Sequence, residues 1–69
     1  MLRVIQLNGK NTELPDTVQS VQDLLQLYTL ENRIVIVEVN KEIVYKEQYE
    51  AEQIADRDTV EIVHFVGGG

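Results

Sequence analysis

Cysteine and tryptophan do not occur in this chain of 69 residues, and proline, methionine, phenylalanine and histidine occur once each. Without cysteine there is no disulfide, no thiolate zinc centre and no thiol nucleophile. A single histidine, His64, cannot build an imidazole metal cluster, and as a lone general base it needs a nucleophile held beside it. The few Ser and Thr residues stand in no activating pattern, so His64 reads as a structural or surface residue. Long apolar runs are also missing. The longest is "IVIV" at 34–37, far short of the roughly 20 residues a membrane-spanning helix needs. Arg3 interrupts the first apolar stretch and no cleavage-site pattern follows it, so the expected location is the cytoplasm, away from the membrane. Basic residues are scarce, six against twelve acids, for a net charge of −6. Nucleic-acid phosphates repel such a chain.

What remains is a small domain's worth of apolar residues, 43% of the chain, in a size class that buries only about 60% of its unfolded surface. "MLRVIQLNGKNTEL" reads as a β-hairpin, because Asn8-Gly9 between two β-rich runs tolerates the positive φ of a tight turn. Pro15-Asp16 closes the second strand. From Ser20 the period changes: Val21, Leu24, Leu25 and Tyr28 share one face of a helix expected over about 21–29. Ser20 and Asp23 form a capping-box-like start. "RIVIVEVN" is β-branched throughout and predicts an interior strand at 33–40. Asn40-Lys41 then turns into "EIVY", and "KEQYEAEQIADRD" predicts a short helix or 3₁₀ turn anchored by Tyr49 and Ile54. "TVEIVHFV" at 59–66 is the last strand. The fold class is α+β, a mixed sheet of about four strands with one helix on one face and the first and last strands adjacent in the middle.

Alternation along the last strand sends Val60 and Ile62 toward the helix and leaves Glu61, Val63 and Phe65 on the open face. In the strand at 33–40, Val35, Val37 and Val39 point one way and Ile34 and Ile36 the other. Val63, Phe65 and Ile36 are therefore the expected partner-docking residues. The acidic excess is concentrated in the second half: 38–69 holds eight acids and three bases, 1–37 four and three. Solubility accounts for that imbalance, and so does a basic partner surface. Glu50 with Glu52 and Asp56 with Asp58 lack the spacing of a calcium loop and read as acidic surface.

No side-chain constellation supports catalysis, which directs attention to the main chain. The sequence reads "VHFVGGG" at 63–69. Residues 1–66 are expected to form a single domain and Gly67, Gly68 and Gly69 a flexible tail. Three extended residues reach about 10 Å, enough to enter a narrow channel in another protein, and the absence of side chains keeps that channel narrow. With no cysteine, the chain can carry sulfur covalently only on the terminal carbon of Gly69, once ATP has activated the carboxylate.

Several stretches in order, "LNGK", "SVQDLLQ", "VEVNKEIV", "KEQY" and "DTVEIVHFVGGG", resemble the sulfur carriers of bacterial thiamine biosynthesis, which are ubiquitin-like β-grasp proteins. The resemblance covers essentially the whole length, with the terminal Gly-Gly its one sharp motif. It implies a non-enzymatic carrier with no stably bound cofactor. An E1-like adenylating enzyme would use ATP to adenylate the carboxylate of Gly69. Sulfur from a donor such as a cysteine desulfurase would then replace AMP to leave a thiocarboxylate (1-thioglycine), which a thiazole synthase consumes. Gly68 matches the family's first glycine and Gly67 extends the tail. The family usually has Gly-Asp before its final strand, where this chain has Arg57-Asp58. If that turn needs positive φ, arginine costs about 1 kcal/mol relative to glycine. A related reading is the small subunit of molybdopterin synthase, whose members tend to be longer and often proline-rich before the glycines. Here "HFV" stands in that place and Pro15 is the only proline. Carriers for tRNA thiolation, lysine-ligated modifiers and a passive binding domain with a frayed end are further alternatives.

Overall fold

The computed structural model describes residues 3–65, and the calls on Gly67, Gly68 and Gly69 lie outside them. Strand β1 (Arg3–Leu7) pairs antiparallel with β2 (Lys10–Leu14), Arg3 opposite Leu14 and Leu7 opposite Lys10. Asn8 and Gly9 join them at φ 51° and 83°, the mirror-image turn whose twist matches the flanking strands. Helix α1 (Val21–Leu27) follows, burying Val21, Leu24 and Leu25.

The helix starts as its sequence indicates. Asp23 N–H donates to the Ser20 hydroxyl at 3.1 Å, and the Asp23 carboxylate accepts from the Gln19 and Ser20 amides at 3.0 and 3.2 Å. Those amides, Gln19 first, hold the Asp23 carboxyl below the usual carboxylate range, against a slight opposing desolvation. A lowered folded-state value makes the contribution complete above the unfolded value, near pH 4. It is lost as pH falls through the folded one. Asp23→Asn is expected to lower stability at neutral pH and to flatten the acid limb of a stability–pH profile. An unchanged acid limb would remove Asp23 from that role.

The helix ends two residues earlier than its periodicity suggests, and Tyr28 is exposed rather than on the buried face. Leu30 N–H donates to the Leu25 carbonyl at 2.7 Å and Thr29 N–H to that of Gln26 at 3.0 Å. This is a Schellman closure, with Thr29 at φ 60° in the place glycine usually takes. A β-branched residue is an unusual occupant of that region.

Strand β3 (Val35–Val39) turns through Asn40 and Lys41, both at positive φ, into β4 (Glu42–Val44). The sheet therefore has five strands where about four were expected: three residues are too few for an alternating pattern to register in the sequence. Val44 stands opposite Val37 and is buried. A 3₁₀ turn at Lys46–Gln48 follows, with Tyr49 partly buried and Ile54 in the core. Strand β5 (Thr59–His64) runs parallel to β1 and antiparallel to β3, giving the order β2-β1-β5-β3-β4. The terminal strands do meet in the middle, and the helix covers one face, the β-grasp arrangement. The core joins Ile5, Leu14, Val37, Val60 and Ile62 of the sheet to Val21, Leu24 and Leu25. Among the described residues no helix is long and apolar enough to cross a membrane.

Polar side chains hold β5 in register from both sides. Asn8 accepts from Ile62 N–H at 2.8 Å and donates to its carbonyl at 3.3 Å, so that a side-chain amide extends the β1–β5 ladder. Asn40 accepts from Thr59 N–H at 3.0 Å. The Arg3 guanidinium reaches the carbonyls of Ile54, Pro15 and Val18. Asp56 and Asp58, read from sequence as acidic surface, instead accept from the Val4 and Ala55 amides at 2.7 and 2.8 Å.

Arg57 lies at φ 72° in the turn closed by Asp58 N–H on the Ala55 carbonyl, so the turn does require the left-handed region. Arg57→Gly and Thr29→Gly are each expected to raise stability by about 1 kcal/mol, or about 4–8 °C in Tm. Thermal unfolding checks this, and a drop in Tm would mean that side-chain contacts outweigh the backbone strain.

Candidate functional site

With α1 on one side of the sheet, the other face is open, and strand parity decides which side chains it displays. Val60 and Ile62 are buried, as alternation requires, while Glu61, Val63 and Phe65 are exposed. Register brings the β3 residues alongside: Ile36 stands opposite Val63, and Phe65 N–H donates to the Ile34 carbonyl at 3.1 Å. Val63 and Phe65 keep 52% and 51% of their surface, Ile36 41% and Ile34 75%. Four large apolar side chains so close together are more than the scattered surface apolars of an ordinary domain.

Sequence reasoning found Val63, Phe65, Ile34 and Ile36, because β3 and β5 are long enough to fix parity. It missed two neighbours. Ile43 on β4 lies opposite Glu38 and is exposed on the same face, and Tyr45, just beyond β4, is exposed as well. Once Val44 is known to be buried, alternation alone assigns Ile43 outward.

The charges around this patch are sorted by sign. Away from the chain end, Glu38 and Glu61 are paired directly across β3 and β5. At the other end Arg33 and Lys46 line one recess with Ile34 and Tyr49. Partial burial, and secondarily the Glu47 carboxylate, raise the Tyr49 hydroxyl above its usual value, so it remains a proton donor at neutral pH. His64 is exposed on β5, opposite Val35.

Other places where chemistry could reside are already used by the fold. The first amides of α1 are taken: Val21 donates to the Glu52 carbonyl at 2.9 Å and Gln22 to that of Tyr49 at 3.0 Å. Among the described residues no three acidic or histidine side chains gather to hold a metal ion. The feature that fold maintenance leaves unexplained is the apolar end of the open face, which β5 carries toward the glycines in sequence.

Comparison with known proteins agrees with this geometry. The sequence profile of the ThiS family matches residues 4–69. The sulfur carrier protein ThiS of Bacillus subtilis (strain 168) is 56% identical over 66 residues, covering 96% of this chain and all of that one. An uncharacterized protein, ycf40, of Trieres chinensis is 32% identical over 63 residues, covering 91% and 85%. The crystal structure of the thiamine biosynthesis protein ThiS of Geobacter metallireducens superposes with a TM-score of 0.79 at 31% identity, covering 96% and 99%. With the profile matched over nearly its whole length and a relative more than half identical, this chain belongs to the ThiS family.

Proposed function

We propose that this chain is the sulfur carrier of thiazole formation in thiamine biosynthesis and that the reacting group is the carboxylate of Gly69. A carboxylate oxygen attacks the α-phosphorus of ATP on an E1-like adenylating enzyme, and pyrophosphate leaves. A sulfur nucleophile, from a donor such as a cysteine desulfurase, then attacks the acyl carbon and expels AMP. The thiocarboxylate that results delivers its sulfur to a thiazole synthase. The folded body supplies no catalytic group; it docks and presents Gly67, Gly68 and Gly69, and ATP is consumed on the partner.

The observation that carries this reading is the apolar patch of Ile36, Val63 and Phe65, exposed at the end of the strand that leads in sequence to the glycines. A partner seated there can receive the tail within about 10 Å of the body. Family membership and the name of the Bacillus relative support the same chemistry.

The test is mass spectrometry of the intact chain after incubation with ATP, the adenylating enzyme and a sulfur source, with fragmentation of the last peptide. A sulfur-for-oxygen replacement at Gly69 is expected, consumed when thiazole synthase and its substrates are added. An unchanged carboxylate overturns the reading. A thiocarboxylate that a molybdopterin synthase consumes, and thiazole synthase does not, reassigns the pathway.

A further inference from the structure

Glu38 and Glu61 face each other across the two strands that carry the apolar patch, one residue pair from Ile36 and Val63 on the same face. Directly opposed like charges on one sheet face destabilise it. Nothing in the free domain relieves them. No described Lys or Arg forms an ion pair with either carboxylate, and neither has a hydrogen bond among the described residues. The nearby cations Arg33 and Lys46 lie around the recess at the opposite end of the patch.

A stable protein interface covers about 800 Å² on each partner, more than the few apolar side chains of the patch provide. A partner seated on Ile36 and Val63 therefore extends over the next pair. Covering two adjacent carboxylates without a counter-charge would be prohibitive. Their spacing, about 5.5 Å between opposed residues, suits a guanidinium fork, which accommodates two carboxylates with charge-assisted hydrogen bonds.

We propose that the adenylating enzyme's docking surface has an apolar socket for Ile36, Val63 and Phe65, and beside it a basic side chain that sits between Glu38 and Glu61. This rests on the carrier reading above and adds to it the chemistry of the partner surface. The Glu38–Glu61 pair marks the end of the face away from the tail, and Arg33 with Lys46 marks the other. The polarity admits one orientation of the body, the one that directs the chain end into the partner.

The pair is thus unfavourable in the free chain and favourable in the complex, and substitution moves the two quantities in opposite directions. In Glu38→Gln and Glu61→Gln, Tm of the free domain is expected to rise by about 2–5 °C. Affinity for the purified adenylating enzyme of the same organism, measured by calorimetry, is expected to fall about tenfold with a shallower salt dependence. Glu47→Gln and Glu50→Gln make the same change in net charge elsewhere and leave affinity within about twofold. If the double variant Glu38→Gln/Glu61→Gln binds as tightly as the wild type, or if the control variants weaken binding equally, the proposal is overturned. Wild-type chain that is converted to the thiocarboxylate while the double variant binds unchanged refutes this inference alone. Wild-type chain that neither binds nor is converted refutes the carrier reading along with it.

Discussion

A chain lacking Gly68 and Gly69 is expected to lose sulfur transfer completely while its Tm stays within about 2 °C of the wild type. The core among the described residues is assembled from Ile5 through Ile62, and the bonds that fix β5 come from Asn8 and Asn40. The body is thus built upstream of the deletion. The chemistry, by contrast, depends on an acyl carbon placed in a partner's active site, and a misplacement of about 1 Å there can cost a hundredfold in rate. Removing two residues withdraws that carbon by about 7 Å. The measurement is thiocarboxylate formation followed by mass spectrometry, beside a thermal melt and binding to the adenylating enzyme. The shortened chain should still bind, because the patch at Ile36, Val63 and Phe65 is intact. Retained sulfur transfer would mean that the glycines are a frayed end and that the function lies in the body.

The fold was legible wherever a pattern was long enough to repeat. Asn8-Gly9 set the hairpin, Val21, Leu24 and Leu25 the buried helix face, and the alternation of Val60 and Ile62 with Glu61 and Val63 the facing of β5. Patterns that need fewer than four residues were not legible, which is why β4 escaped notice and Ile43 with it. Conformation that contradicts residue preference was hidden for another reason. Threonine at position 29 gives no sign of a left-handed helix stop, and lysine at 41 gives none of a mirror-image turn, yet both have positive φ. Only Arg57 was suspected, through the glycine usual there in related chains. The hydrogen-bonding roles of Asp56 and Asp58 were invisible because their acceptors' partners, Val4 and Ala55, are fixed by tertiary structure rather than by spacing. At the candidate site the apolar residues could be read from sequence. The opposition of Glu38 to Glu61 could not, since it depends on the β3–β5 register.

Ile62→Asp and Phe65→Asp place the same charge on, or just beyond, the same strand, three residues apart, and their outcomes should be opposite. Ile62 keeps 9% of its surface and packs between the sheet and the helix. A carboxylate there is buried without a counter-charge, at a cost of about 3–5 kcal/mol. That matches the whole stability expected of a single core this small. Ile62→Asp should therefore leave the chain unfolded by circular dichroism at room temperature. Phe65 lies on the open face beyond the end of β5. Phe65→Asp should melt within a few degrees of wild type, since exposed substitutions usually change stability by less than about 0.5 kcal/mol. Its affinity for the adenylating enzyme should fall at least about thirtyfold, the loss expected when a central aromatic anchor is removed. An unfolded Phe65→Asp, or a folded Ile62→Asp, would mean that the facing of β5 is reversed. A folded Phe65→Asp that binds normally would separate the patch from docking. A phenylalanine this exposed contributes little to the free domain, so its energetic role must lie in a contact that the isolated chain does not make.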